Sequence, residues 1–307
     1  MGEIAETPQP HRISLVLGSG GARGYAHIGV IEVLCEQGFE IRSISGASMG
    51  ALIGGIYATG KLNDYKHWVR ALQKMHVLRL VDWTLSGGGF IKGDRIIGAL
   101  RELIGDCAIE NLPMTYTAVA TDIEAMREVW LTRGPLFDAI RASIAIPSLL
   151  RPFNYEGRKL VDGALLDPVP ISPTLRDLTD ATIAVSLNSA PVMQPEETPP
   201  DNTSAAGYRR KVTEFLDNIR NSKRGPVSEP KWRDLIVRSI EAMQQTITRL
   251  KLAAHEPDLL IEIPCNACAF YEFYRAEEMI QLGRERTEQA LASWQRPTLR
   301  RPQKIGP

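Results

Sequence analysis

Two glycine-rich strings in the first fifty residues constrain this chain more than anything else in it. Gly46-Ala47-Ser48-Met49-Gly50 has the Gly-x-Ser-x-Gly form. It follows a short apolar run, Ile41 to Ile44, and precedes a helix-like stretch, Ala51 to Ala58. A serine in that strand–turn–helix setting is a nucleophile elbow. The flanking glycines let the backbone turn sharply without a clashing Cβ, so Ser48 Oγ is presented outward. The other string, Gly18-Ser19-Gly20-Gly21-Ala22-Arg23-Gly24, lies between a strand, Ile13 to Leu17, and a helix starting near Ala22. Backbone N–H groups at such a helix start suit a developing oxyanion. Together the strings point to acyl transfer.

The rest of the first 190 residues alternates in period. A helix to about Gln37 has Ala26, Val30, Val33 and Leu34 on one face, and Gly38 stops it. Residues 64–75 read as another helix. Gly87-Gly88-Gly89 reads as a loop, and Asp94 as the N-cap of a helix through Leu103. Thr115–Thr121 and Glu128–Thr132 read as strands. Pro135–Ile144 reads as a helix with Pro in its first turn. Leu160–Val161 ends a short strand before Asp162-Gly163-Ala164, and Ile183–Leu187 is a further strand. This alternation predicts an α/β sandwich with helices on both sides of a largely parallel sheet. We place the core at 12–190 and a flexible Pro-rich loop at 191–207, with Pro191, Pro195, Pro199 and Pro200. A helical extension packing on the core, with a late strand at Leu259–Ile263, fills 208–295, and a basic tail 296–307. In the extension, Val212, Phe215, Leu216 and Ile219 form a basic amphipathic helix. Trp232, Leu235, Ile236, Ile240, Met243, Ile247 and Leu250 form a second apolar stripe, and a last helix runs from about Arg275 to Ser293.

A serine hydroxyl needs a base. The order Ser, acid, His would use His255, but Ser48 comes after only two strands, and Ala-His-Glu-Pro around His255 carries no local signature. His27 and His67 read as structural. The other base is a carboxylate. Asp162 follows a short strand, and if that strand runs parallel to Ile41–Ile44 the two C-termini share the edge of the sheet that carries sites. A carboxylate has a pKa of about 4 in water and becomes an effective base in a dry pocket over a short hydrogen bond.

Composition excludes several other classes. Lys+Arg and Asp+Glu balance at 36 each, so charge does not point to nucleic acid. No apolar run is long enough to span a bilayer. No secretory signal is visible, which predicts a cytoplasmic protein, with the inner membrane face open to it. Cys265 and Cys268 form a C-x-x-C with no second ligand pair nearby, so we read two ordinary thiols in a turn and no metal. A dinucleotide fingerprint fails because its third glycine falls one residue late, at Gly24, and a P-loop Lys is absent.

These motifs carry a resemblance. The chain resembles patatin-like phospholipases, and within them the bacterial RssA-type group related to the catalytic domain of neuropathy target esterase. The matching residues are Gly20-Gly21-Ala22-Arg23-Gly24, Gly46-Ala47-Ser48-Met49-Gly50, Ala142-Ser143-Ile144-Ala145-Ile146-Pro147 and Asp162-Gly163-Ala164, in that order. Gly88-Gly89-Phe90-Ile91-Lys92-Gly93 and Ala120-Thr121-Asp122 also resemble that group. The likeness covers residues 12 to about 190 and continues weakly beyond. It implies a patatin-like three-layer α/β/α sandwich with a largely parallel central sheet and added C-terminal helices. It implies a serine acyl-ester hydrolase of phospholipase A or lysophospholipase type, with Ser48 as nucleophile, Asp162 as base, and no cofactor or metal. Amides around Gly20, Gly21 and Ala22, with Met49, form the oxyanion hole by this resemblance. Two roles stay open for Arg23, beside Gly24: orienting the loop or binding phosphate, against a salt bridge beneath the loop. The alternative function is a regulatory or scaffold protein on the same fold. The basic helix near 208–224, with Phe90, Ile91, Leu149, Leu150 and Phe153 near the expected mouth, raises peripheral membrane contact; the same helices are candidates for a homo-oligomer interface.

Overall fold

The computed structural model describes residues 11–71, 93–147, 149–191 and 232–294. The chain divides into two compact units, Met1–Ala190 with Gln244–Pro307, and Pro191–Met243. The larger unit holds the sheet and the elbow. The Gly87–Gly89 loop, Phe90, Ile91, the Pro-rich stretch from 192, the basic helix near 208–224 and the tail lie outside the described residues.

Eight strands form one sheet: β1 (Arg12–Leu17), β2 (Glu40–Ala47), β3 (Thr115–Asp122), β4 (Arg127–Leu131), β5 (Phe153–Tyr155), β6 (Arg158–Asp162), β7 (Ala181–Ser189) and β8 (Leu259–Pro264). The order is β5-β6-β3-β2-β1-β7-β8, with β4 paired to β3. The five strands from β3 to β8 are parallel, while β4, β5 and β6 bring the antiparallel pairings. Among the described residues the helices are α1 (Ala26–Glu36), α2 (Met49–Ala58), α3 (Leu62–Ala71), α4 (Asp94–Ile104), α5 (Leu136–Ser143), α6 (Trp232–Ala254) and α7 (Ala276–Ser293).

Topology decides which helix covers which face. Steps from β1 to β2 to β3 move one way across the sheet, and right-handed crossovers keep their helices on one face. The step from β7 to β8 moves the other way, and the last part of its crossover, at Leu252, packs on the opposite face. The first face carries Ile13, Leu15, Leu17, Ile44, Tyr116, Ile183, Val185 and Ile261, all in the main core with α1, α2 and α5. The second carries a small cluster of Val16, Val169, Ile171 and Ala184, packed with Leu252 of α6 and Leu260. The result is a three-layer α/β/α sandwich with unequal layers.

From Gln244 onward, α6 does not bury the whole of the apolar stripe expected on it. The second face of the sheet also carries Ser14, Ser43, Ser45, Thr117 and Thr121, all buried. On α6, Thr248 is buried while Leu250 is 66% exposed. Lys251 Nζ bridges Asp167 Oδ2 at 3.2 Å and Glu128 Oε2 at 3.3 Å.

Other boundaries also shift. The first helix starts as a 3-10 turn, Gly21–Tyr25, before α1. Gly93, not Asp94, occupies the N-cap of α4, with φ 77°, and Pro135 is the N-cap of α5 rather than its first residue. The single apolar face expected on α1 is a shell on nearly all sides, because α7 packs on its outer side. The crossing is made by glycines: a Cβ on Gly29 would lie 2.0 Å from Ile280 O, and one on Gly283 would lie 2.0 Å from Ala26 O. Arg284 of α7 adds ion pairs to Glu32 and Glu36. Gly283→Val is therefore expected to force the helices apart and lower stability by about 3 kcal/mol, read as a reduced denaturant midpoint. A midpoint unchanged from wild type would refute this packing.

Candidate active site

Strand β3 sets the positions of Ser48 and Asp162. β4 pairs with Ala118–Asp122 of β3. It overlaps the β3 residues paired with β2 and those paired with β6, so β2 and β6 share the other edge of β3. They meet there head-on. Ala47 of β2 pairs with Val119, and Asp162 of β6 pairs with the next residue, Ala120. Two strand ends thus converge on consecutive positions of one neighbour. The parallel orientation expected for Leu160–Val161 is corrected: β6 is antiparallel to β3 and reaches the same edge from the opposite direction. The hairpin beyond is closed by Asp122, whose Oδ1 accepts from Glu124 and Ala125 amides at 3.1 and 3.0 Å.

Ser48 has φ 54° and ψ −123°, a conformation that L-residues adopt only when the surroundings enforce it. Gly50 permits the tight turn: a Cβ there would lie 1.9 Å from Leu17 O. Ser48 N–H donates to Ser143 Oγ at 3.0 Å, and Ser143 Oγ–H donates to Val119 O at 2.6 Å. Ser48 and Asp162 are 3% and 4% exposed. The Ser48 side chain lies near enough to the Asp162 carboxyl to lower its pKa. Asp162 Oδ1 also accepts from Ala164 N–H at 2.8 Å. Burial pushes the Asp162 carboxyl up to about 7, against the lowering effect of the Ser48 side chain and the Ala164 amide.

The Gly-rich loop lies beside the elbow because Gly24 lets it: a Cβ there would come 2.4 Å from Met49 Cβ. Its amides divide. Gly18 N–H donates to Val185 O at 3.0 Å and Ser19 N–H to Pro168 O at 2.8 Å. Ala22 N–H donates to Phe270 O at 2.9 Å. The expectation for Ala22 is therefore corrected: its amide is already committed and is not open to an oxyanion. Gly20 and Gly21 amides find no acceptor among the described residues. Met49 N–H is the first amide of α2, where no intrahelical partner exists.

Arg23 is 3% exposed. Its guanidinium donates to Leu187 O at 3.0 Å, Cys265 O at 3.1 Å, Cys268 O at 3.2 Å and Asn188 Oδ1 at 2.9 Å. These bonds pin the loop to the end of β7 and to the C-x-x-C turn. The turn supplies carbonyls; both thiols are free, and burial pushes Cys268 up to about 11. No local signal in the sequence links residue 23 to residues 265–268.

The histidines stand apart. His27 Nε2–H donates to Gly18 O at 2.7 Å, and burial lowers its pKa to about 4, so it stays neutral. His255 ends the crossover before β8, at the N-terminal edge of the sheet, opposite the elbow. Of the expected mouth residues, Leu149 is 39% exposed, whereas Leu150 is buried and Phe153 lies between Tyr155 and the Arg141 guanidinium. Among the described residues no cluster of His, Cys, Asp and Glu is arranged to hold a metal ion, and no helix is long and apolar enough to cross a membrane.

A family model described as patatin-like phospholipase matches residues 15–175. The chain belongs to the patatin-like phospholipase family. This patatin-like chain is 39% identical to an uncharacterised NTE family protein of Mycobacterium tuberculosis and to one of Mycobacterium bovis, each match covering 92% of both chains. It is 32% identical over 185 residues to Lysophospholipase NTE1 of Yarrowia lipolytica, covering 58% of this chain and 13% of that protein. Among solved structures, VipD from Legionella pneumophila aligns over 94% of this chain and 68% of its own, with a TM-score of 0.43 and 13% identity. Family membership places the patatin-like chain among lipid hydrolases.

Proposed function

We propose that this protein is a metal-independent serine acyl-ester hydrolase acting on phospholipids or lysophospholipids through a Ser48–Asp162 dyad. One observation carries the reading: a buried carboxyl, pushed to about 7, lies beside the side chain of a serine held on a strained elbow. Near pH 7 such a carboxylate is matched to the proton it has to move.

In the proposed reaction Ser48 Oγ attacks the ester carbonyl carbon, and its proton passes to Asp162. The carbonyl oxygen becomes an oxyanion facing the amides of Gly20, Gly21 and Met49. Collapse of the tetrahedral intermediate breaks the bond to the leaving alcohol, which takes the proton from Asp162. Water then attacks the acyl-enzyme, giving its proton to Asp162, and the second collapse returns that proton to Ser48 and releases the fatty acid. The name of the Yarrowia relative supports a lysophospholipid as first substrate to try.

The test is hydrolysis of a short p-nitrophenyl ester and of a lysophospholipid by wild type, Ser48→Ala, Asp162→Asn and His255→Ala. Activity disappears in the first two variants and persists in the third. The sign of the pH dependence follows from the base being active when ionised. kcat/KM therefore rises with pH through a midpoint of about 7 and levels off above it. Inert wild type, or activity indifferent to Ser48, would support the regulatory alternative; loss in the His255 variant would restore a triad.

A further inference from the structure

Segment 143–145, at the end of α5, touches both halves of the proposed dyad. Ser143 Oγ accepts the Ser48 amide at 3.0 Å, and Ala145 O accepts the Asp162 amide at 3.0 Å. The Ser143 contact also solves a problem in the sheet. β2 leaves the ladder at the elbow, so Val119 O loses the strand amide that would continue the pairing. Ser143 Oγ–H fills that gap at 2.6 Å while its lone pair takes the displaced Ser48 N–H. Ser143 is fully buried, so water does not substitute for either bond at the surface. One hydroxyl therefore measures the offset between β2 and β3 at the point where the nucleophile leaves the sheet.

We infer that Ser143 is a positioning residue for Ser48: its hydroxyl, inserted between Ser48 N–H and Val119 O, sets the distance from the nucleophile to Asp162. This inference rests on the dyad reading. Without the hydroxyl, two buried backbone groups lose their partners. The elbow then relaxes toward Val119 or away from it, and displacements of about 1 Å cost on the order of 100-fold in rate.

The experiment measures kcat and KM for a p-nitrophenyl ester, and the rate of Ser48 labelling by a fluorophosphonate, in wild type, Ser143→Ala, Ser143→Thr and Ser143→Val. Thr and Val share a shape and differ in the hydroxyl. We expect Ser143→Ala and Ser143→Val to lose about 100-fold in kcat and in labelling rate with KM within about twofold, and Ser143→Thr to recover to within about tenfold of wild type. If the larger side chains prevent folding, Ser143→Ala and Ser143→Cys carry the comparison, since sulfur keeps the shape with a weaker acceptor. A variant without the hydroxyl within threefold of wild type would overturn the positioning role while leaving the dyad intact. Wild type that is neither labelled nor active would overturn the dyad reading, and this inference with it.

Discussion

Asp162→Asn is expected to abolish hydrolysis and, above pH 7, to make the protein more stable. Loss of a general base costs about 10²–10⁴-fold in rate. The stability gain comes from the same burial that makes Asp162 useful. Its carboxyl sits at about 7 in the folded chain, against about 3.9 unfolded. The folded state thus binds the proton more tightly, and ionising the group costs stability. That cost is absent below pH 4, grows between pH 4 and 7, and is complete above 7. It amounts to at most about 4 kcal/mol, three pKa units at 1.36 kcal/mol each. Asn is never charged, so the difference between variant and wild type should open over the same window. In a domain of this size it corresponds to a Tm gain of up to about 10 °C at pH 8. Asp167, which burial and Glu128 also push upward, titrates in both proteins and cancels in the comparison. Thermal unfolding of both proteins from pH 4 to 8 measures it. Parallel curves would mean that Asp162 is ionised without penalty and that its burial does not tune it.

Ser48→Gly and Ser48→Ala should both fall about 10⁴-fold or more in activity, since each removes the nucleophile. They should not fall equally in stability. Both lose the hydroxyl beside Asp162, so their difference isolates the backbone. At φ 54° and ψ −123° an alanine carries the strain that a glycine does not. Ser48→Gly is expected to exceed Ser48→Ala by about 1–3 kcal/mol in unfolding free energy. Equal stabilities would show that the elbow is not strained at residue 48.

Much of the frame is legible residue by residue. The elbow reads from the chain because its requirements are local. A strand, a serine bracketed by Gly46 and Gly50 and a helix all lie within twenty positions, and Gly50 has to be glycine for its approach to Leu17. The strands β1, β2, β3 and β7 read as apolar runs for the same reason. The unequal coverage of the sheet is less visible. At the end of α6, Thr248 is buried and Leu250 is not, and the α1–α7 crossing depends on Gly29 and Gly283, residues 254 positions apart.

By itself, the sequence determined that this chain turns sharply at Ser48, that a Gly-rich loop follows β1, and that a carboxylate at Asp162 ends a strand. These are properties of short segments, where φ/ψ preference and hydrophobic period act within a few residues. Only the tertiary structure decided how those parts serve one another. It runs β6 antiparallel along the edge of β3, commits the Ala22 amide to Phe270, seats Arg23 among carbonyls of residues 187, 265 and 268, and inserts Ser143 beneath the elbow. Each of those outcomes pairs a buried polar group with a partner 24 to 248 residues away. Such pairing is settled by which segments exclude water together, and no local pattern encodes it.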